Sequence, residues 1–444
     1  MVTPETEMAK SPSRTRHPSS SSFLTETLLF SGGALVAFLL LWTAWSFSNT
    51  TTTTFTFEPS LSPKQCHPPN RHHDPPYQTF YDDPNLSYSI DGPPITDWDA
   101  KRRRWLALHP TFQSRPDQVL LVSGSQPKPC RNPMGDHLLL RFLKNKIDYS
   151  RIHGFQIFYN NALFHPKMGT FWAKLPLIRS AMIAHPESEW IYWVDSDAAF
   201  TDMEFDIPFD KYRNHNLIVH GWSHLIYENR TWVGLNAGIF LIRNCQWSME
   251  FINVWASMGP ISPKYKEWGK IQKSVFKDKA FPESDDQTAL AYLILKEKEK
   301  WADKIYLESE YYFEGYWVEI VGRLVGIGER YLEVERGEGR EGLRRRRAEV
   351  VAAGAAAGER EGWVKEAGGG RGGLRRPFIT HFAGCQPCSG DHNAMYSGEN
   401  CWEGMRTALD FADDQVLRSF GFRHVDVGND SGVVGLPFDY PNKA

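Results

Sequence analysis

Trp190-Ile191-Tyr192-Trp193-Val194-Asp195-Ser196-Asp197 is the stretch from which the rest of the chain can be read. Five consecutive apolar residues rich in aromatic and β-branched types read as a strand buried on both faces. Immediately after it come two carboxylates, two residues apart. Released from a buried strand into a cleft, Asp195 and Asp197 can hold one hard divalent cation, Mg²⁺ or Mn²⁺, because oxygen ligands suit those ions. Such an ion offsets the charge that builds up on a departing diphosphate. The plainer alternative is a solvated turn, since Asp and Ser favour turns generally.

Working outward, the flanking segments supply the frame. Val119 to Val122 reads as a short buried strand that runs into the turn-rich Ser123-Gly124-Ser125-Gln126-Pro127. Asp136 to His153 carries Leu139, Phe142, Leu143, Ile147 and Ile152 at helical spacing. Phe155 to Tyr159 predicts a second strand, and Phe171 to His185 a second helix, kinked or bounded at Pro176. Strand, helix, strand, helix, strand predicts a parallel sheet covered on both faces, with ligands at the carboxyl ends of its strands. Both the Ser123 loop and Asp195 lie at that end.

Further along, Asn216 to Val219 reads as a strand, Gly234 to Gly238 leads into another strand at Ile239 to Ile242, and Trp247 to Trp255 reads as a helix. Asp285-Asp286-Gln287 opens an apolar-periodic helix through Leu290, Leu293 and Ile294. Asp285 suits an N-cap, but two adjacent acids followed by Gln exceed what capping needs and point to the site as well. Pro377 to Phe382 predicts another buried strand. His381 within it is either a hydrogen-bonded core residue or a third ligand for a cation that two aspartates do not fill.

The N-terminal fifth of the chain has a different character. Leu28 to Phe47 is a stretch of 20 residues without a charge, about 30 Å as a helix and long enough to cross a bilayer. Lys10, Arg14 and Arg16 precede it, which puts that side in the cytoplasm. The expected organisation is a cytoplasmic tail (1–27), a transmembrane signal-anchor (28–47) and a lumenal Thr/Ser/Pro-rich stem (48–98). A catalytic domain (99–425) and a C-terminal tail (426–444) follow. Residues 326–376 turn to Glu, Arg, Gly and Ala, including Arg344 to Arg347, and read as a charged surface insertion.

Four N-x-S/T sequons, at Asn49, Asn85, Asn229 and Asn429, agree with a lumenal location. Six cysteines, Cys66, Cys130, Cys245, Cys385, Cys388 and Cys401, would there sit in an oxidising compartment. Cys385-x-x-Cys388 with His392 and Cys401 invites zinc, but without a second spaced pair a disulfide-tied loop is the better reading. With 50 basic and 53 acidic residues and a formal charge of -3, the chain has no basic excess aimed at nucleic acid.

Trp193-Val194-Asp195-Ser196-Asp197-Ala198, His220-Gly221-Trp222, Gly234-Leu235-Asn236-Ala237-Gly238, Asp285-Asp286-Gln287, Leu307-Glu308-Ser309 and Thr380-His381-Phe382 together resemble plant glycosyltransferase family 34. Tyr311 to Trp317 and Gly384-Cys385-Gln386-Pro387-Cys388 look closer to its galactomannan galactosyltransferase branch than to the xyloglucan xylosyltransferases, which tend to have Lys where Gln386 stands. The likeness covers about residues 75 to 425 apart from the charged insertion.

That resemblance implies an α/β, Rossmann-like GT-A domain behind a single N-terminal transmembrane helix, in a type II Golgi membrane glycoprotein. It implies retaining transfer of galactose from UDP-galactose in α-1,6 linkage to a β-1,4-mannan acceptor, with Mn²⁺ or Mg²⁺. Asp195, Asp197 and His381 match the metal ligands. Asp285, Asp286 and Gln287 match the positions beside donor sugar and acceptor. Ser123, Gly124, Lys174, Ser196, Asn236, Gly384 and Gln386 match the donor side of the pocket. Members can assemble with one another, so a homo-oligomer, or a hetero-oligomer with mannan synthase or related glycosyltransferases, is an expected partner. Two alternatives stay open: an α-1,6-xylosyltransferase using UDP-xylose on a β-1,4-glucan, and a non-catalytic subunit of a Golgi polysaccharide synthase.

Overall fold

In the computed structural model, residues 79–113, 118–336, 375–428 and 432–437 are described. The tail, the apolar span, most of the stem, Cys66 and Asn49 lie outside them, as do 337–374 of the charged insertion and Asn429. Among the described residues, no helix is long and apolar enough to cross a membrane.

Six strands form the main sheet: β1 (Val119–Gly124), β2 (Gln156–Asn160), β3 (Trp190–Val194), and, after the short β4 (Ala198–Phe200), β5 (Leu217–Gly221), β6 (Leu235–Arg243) and β7 (Ile305–Glu308). Their spatial order is β2-β1-β3-β6-β5-β7. Alternation with period two sorts their side chains to opposite faces. Leu120, Val122, Ile191, Trp193, Leu217, Val219, Phe240 and Ile242 enter one core. Val119, Leu121, Trp190, Tyr192, Ile218, Ile239 and Leu241 enter the other. This is why these strands read as unbroken apolar runs.

The helices α1 (Trp98–Leu108), α2 (Pro133–His153), α3 (Lys174–Ala184), α4 (Gln246–Ala256), α5 (Tyr265–Val275), α6 (Asp286–Lys296), α7 (Leu324–Arg336) and α8 (Gly398–Leu417) complete the framework. α2 starts before Asp136 because Asn132 Oδ1 accepts from Gly135 N at 2.7 Å and Pro133 occupies the first turn; Gly154, with φ 69°, ends it. Of the two roles expected of Pro176, the boundary fits: α3 begins two residues before it, after a 3₁₀ turn at Thr170–Ala173. Pro176 sits in the first turn, where its missing N–H has no intrahelical partner to lose.

Two expectations are corrected. The sheet is not all parallel: β6 runs antiparallel to both β3 and β5. The β5–β6 link holds only residues 222–234 and one turn of π-helix, Leu225–Asn229, rather than a crossover helix of the βαβ kind. The reversal carries the start of β6, Asn236 to Gly238, to the carboxyl end of β3, so the strand begins four residues before Ile239 and this part of it faces Asp195.

As expected, the segment after the insertion holds a buried strand, β8 (Ile379–His381), which pairs antiparallel with β4 in a separate two-stranded sheet, with His381 opposite Ala198. Second, order begins earlier than Trp98. Residues 79–97, assigned to the stem, contribute Phe80, Ile90 and Ile95 to the core, and Tyr81 OH donates to Ile183 O at 2.7 Å. At the other end, β9 (Phe422–His424) pairs with β10 (Val433–Gly435). Disulfides join Cys130 to Cys388 and Cys385 to Cys401, and Cys245 is a free thiol. The disulfide-tied loop expected around Cys385 is therefore present.

Candidate active site

One carboxylate oxygen each from Asp195 and Asp197 and one ring nitrogen of His381 lie within 4.8 Å of one another. β3 ends at Val194 and releases the two aspartates into a turn closed by Ala198 N donating to Asp195 O. β8 runs back beside β4 and delivers His381. Its Nε2 stands 3.5 Å from Asp197 Oδ1 and 3.9 Å from Asp195 Oδ2, while Nδ1 meets Glu314 Oε1 at 3.0 Å. With Nδ1 committed to Glu314, Nε2 is the ring nitrogen that faces the aspartates, and once it gives up its proton its lone pair can bind a cation beside them, the arrangement found where a histidine binds metal.

The pocket favours positive charge. Burial disfavours the imidazolium of His381, yet the bonds to Asp197 and Glu314 outweigh it and hold its pKa at about 10. Two carboxylates, an imidazole and a buried supporting carboxylate fit Mn²⁺ or Mg²⁺ in donor type.

The backbone of the turn is pinned from behind. Lys146 of α2 is fully buried, and its Nζ donates to Ala198 O at 2.8 Å and Ser196 O at 3.3 Å. Burial pushes its pKa down to about 7, against the pull of Asp197 and Asp195. Phe382 N donates to Asp197 O. Carbonyls 196 to 198 therefore all have donors, and Ser196 contributes its backbone to this clamp.

Beside the turn, Lys174 at the start of α3 joins two clusters. Its Nζ is 2.9 Å from Ala237 O, 2.8 Å from Asp286 Oδ2 and 3.4 Å from Asp195 Oδ1. Asp286, buried at the N-terminus of α6, has its pKa raised to about 6 by burial, with Lys174 acting in the opposite sense. Trp193 Nε1 donates to Asp195 Oδ1 at 2.6 Å. Asn236 Oδ1 accepts from Gly238 N at 2.7 Å. A Cβ on Gly238 would lie 2.5 Å from His381 Cε1 and 2.7 Å from Asp195 Oδ2, so this position has room only for hydrogen.

The other expected residues divide. Asp285 caps α6: its carboxylate accepts from Thr288 N at 2.8 Å and Thr288 Oγ1 at 2.6 Å, and it pairs with Lys279 Nζ at 2.6 Å. Gln287 accepts from Ala237 N at 3.3 Å and donates to Trp232 O at 3.1 Å. Both side chains are thus engaged by protein. Ser123 and Gly124 end β1 alongside β3, whose Trp193 pairs with Val122, and Ser123 Oγ is buried without a hydrogen-bond partner. Next to them Ser125, Gln126 and Tyr159 help line a groove of about 440 Å³. Gly384 and Gln386 stand exposed on the disulfide-tied loop after β8. Gln386 is held there through its backbone, to Asp391 O and Gly390 N.

Reading the sequence for chemistry missed Glu314, Lys146 and Gly238. A lysine at the core-facing position one turn after Phe142 was the available signal for Lys146, and an acid inside the aromatic run Tyr311 to Trp317 the signal for Glu314.

Residues 115–392 match the model of the galactosyl transferase GMA12/MNN10 family, glycosyltransferase family 34. The chain belongs to this family. It is a glycosyltransferase, and its relatives in the family extend the likeness across almost its whole length. It is 54% identical to galactomannan galactosyltransferase 1 of Cyamopsis tetragonoloba, over 98% of this chain and 100% of that one. Glycosyltransferase 6 of Arabidopsis thaliana is also 54% identical, over 95% and 96%. The Arabidopsis protein named "Probable xyloglucan 6-xylosyltransferase 3" is 44% identical over 77% of this chain and 67% of its own.

Proposed function

We propose that the protein is a retaining, GT-A-type galactosyltransferase that moves galactose from UDP-galactose in α-1,6 linkage onto mannose units of a β-1,4-mannan. The observation that carries the reading is the convergence of Asp195, Asp197 and Glu314-braced His381 beside the Lys174–Asp286 pair. The near full-length likeness to galactomannan galactosyltransferase 1 supports the choice of donor and acceptor.

Asp195, Asp197 and His381 would hold Mn²⁺ or Mg²⁺, which when bound supplies charge compensation for the donor diphosphate. Asp286 would orient the donor sugar and stabilise positive character at its anomeric carbon. In the transfer, the bond from C1 to the β-phosphate oxygen breaks with its electron pair leaving on UDP. The bond from C1 to mannosyl O6 forms, and the hydroxyl proton passes to the departing phosphate oxygen. Such a front-face route requires no enzyme base. Ser123, whose buried hydroxyl has no protein partner, and Gly124 would flank the donor.

A lumenal, type II Golgi placement belongs to the same reading. It is supported by the two disulfides, by the exposed sequons at Asn85 and Asn229, and by the charge-free stretch Leu28 to Phe47 behind basic residues.

The test is a soluble form beginning near residue 75, supplied with Mn²⁺ and given UDP-galactose or UDP-xylose with mannohexaose or cellohexaose, products read by mass. Galactose on mannohexaose alone is expected. Xylose on cellohexaose would replace this reading with the xylosyltransferase. Silence in all four by a folded protein would favour a non-catalytic subunit.

A further inference from the structure

Asp285 and Gln287 flank Asp286, and each of their side-chain polar atoms already has a protein partner. Their contacts lead instead to one aromatic wall. Gln287 Nε2 holds the carbonyl of Trp232, and Asp278 takes both the N–H of Trp232, at 3.2 Å, and the hydroxyl of Thr231. Trp232 is therefore clamped on both sides of its backbone. Its ring, half-buried against the core, meets Phe281 edge-on with centroids 5.7 Å apart. Phe281 in turn lies under Lys279 Nζ at 3.7 Å, the same ammonium that pairs with Asp285. Asp285, Lys279, Phe281, Trp232 and Gln287 thus form one continuous chain of contacts around the base of Asp286.

Trp232 stays only half-buried although its backbone is held on both sides, so part of its surface remains for a ligand. A rigid, amphipathic ring offers contact area at small entropic cost. The apolar C–H face of a pyranose is such a ligand, and it carries no charge to compete with the ion pairs beneath.

We propose that Trp232 is the stacking platform for the acceptor glycan and so a specificity-determining residue, with Gln287 and Asp285 as the residues that position it. The proposal rests on the glycosyl-transfer function proposed above and deepens it. It turns two residues expected to act in chemistry into supports for acceptor recognition.

The test is steady-state kinetics of Trp232→Ala and Trp232→Phe, with mannohexaose and UDP-galactose varied in turn. Loss of one stacked ring is worth about 1.4 kcal/mol, or about tenfold in affinity. Trp232→Ala is expected to raise the KM for mannohexaose about tenfold and leave the KM for UDP-galactose within about twofold. Trp232→Phe should restore most of the acceptor KM. Gln287→Ala should also raise it, with less than additive loss when combined with Trp232→Ala.

An unchanged acceptor KM in Trp232→Ala would overturn the proposal, as would equal losses in the Ala and Phe variants. Failure of the wider reading shows up separately, in the wild type. If the wild type transfers xylose to cellohexaose, the same comparison on that acceptor tests the platform independently of the donor assignment.

Discussion

His381 and Glu314 are joined by a buried hydrogen bond of 3.0 Å that commits Nδ1 and leaves Nε2 facing the two aspartates. Glu314→Gln keeps an acceptor but removes the charge that fixes the ring and raises its basicity. The expected result is about a tenfold weaker cation, since outer partners of metal-bound histidines carry effects of that size. Calorimetric titration with Mn²⁺ measures it directly. Because His381 keeps its proton up to about pH 10, the cation must displace that proton, and its affinity should rise with pH below that value.

Asp286 is held half-protonated near pH 6 by burial, with Lys174 pulling the other way. If the carboxylate is the working form, kcat falls as the pH drops through about 6. Lys174→Met removes the ammonium that favours ionisation, so the acid limb should move to higher pH, as a pH profile of kcat will record. The linkage has a definite sign. With the folded pKa above the ordinary 3.8, the contribution of Asp286 to stability is complete below 3.8 and is lost as pH rises through about 6.

Gly238→Ala should leave the fold largely intact and cripple the site. The new methyl would press on His381 and Asp195 at 2.5 and 2.7 Å, and displacing either ligand by a fraction of an ångström disturbs both cation and donor. Turnover is expected to fall about a hundredfold, with the far-ultraviolet circular dichroism unchanged. Near wild-type turnover would show that the ligands have slack.

Cys130 and Cys388 lie 258 residues apart and tie the loop after β1 to the loop after β8. Replacing both with Ser should cost about 2–4 kcal/mol of stability. A lower melting temperature in calorimetry is the expected reading, and a reductant, which also opens Cys385–Cys401, should lower that of the wild type at least as far.

Asp195-Ser196-Asp197 was legible because its message is local: a fully apolar strand must be buried, and acids directly after it must leave the core. The same holds for β1 and β2, short runs of apolar and aromatic residues, and for the helices α2, α4 and α6. The direction of β6 was not, since an apolar run says that a strand is buried and nothing of which way it points; only the short link from β5 decides that. Local residue types and spacing by themselves determined the buried strands, the amphipathic helices and the acids at the end of β3. Tertiary structure alone decided that β6 turns back, so that Gly238 faces Asp195. It also decided that Lys146 lies beneath the turn, that Glu314 braces His381, and that Asp285 and Gln287 spend their polar atoms on protein. Each is a contact between segments far apart in the chain, and such pairings follow from how the layers stack, which no local pattern encodes.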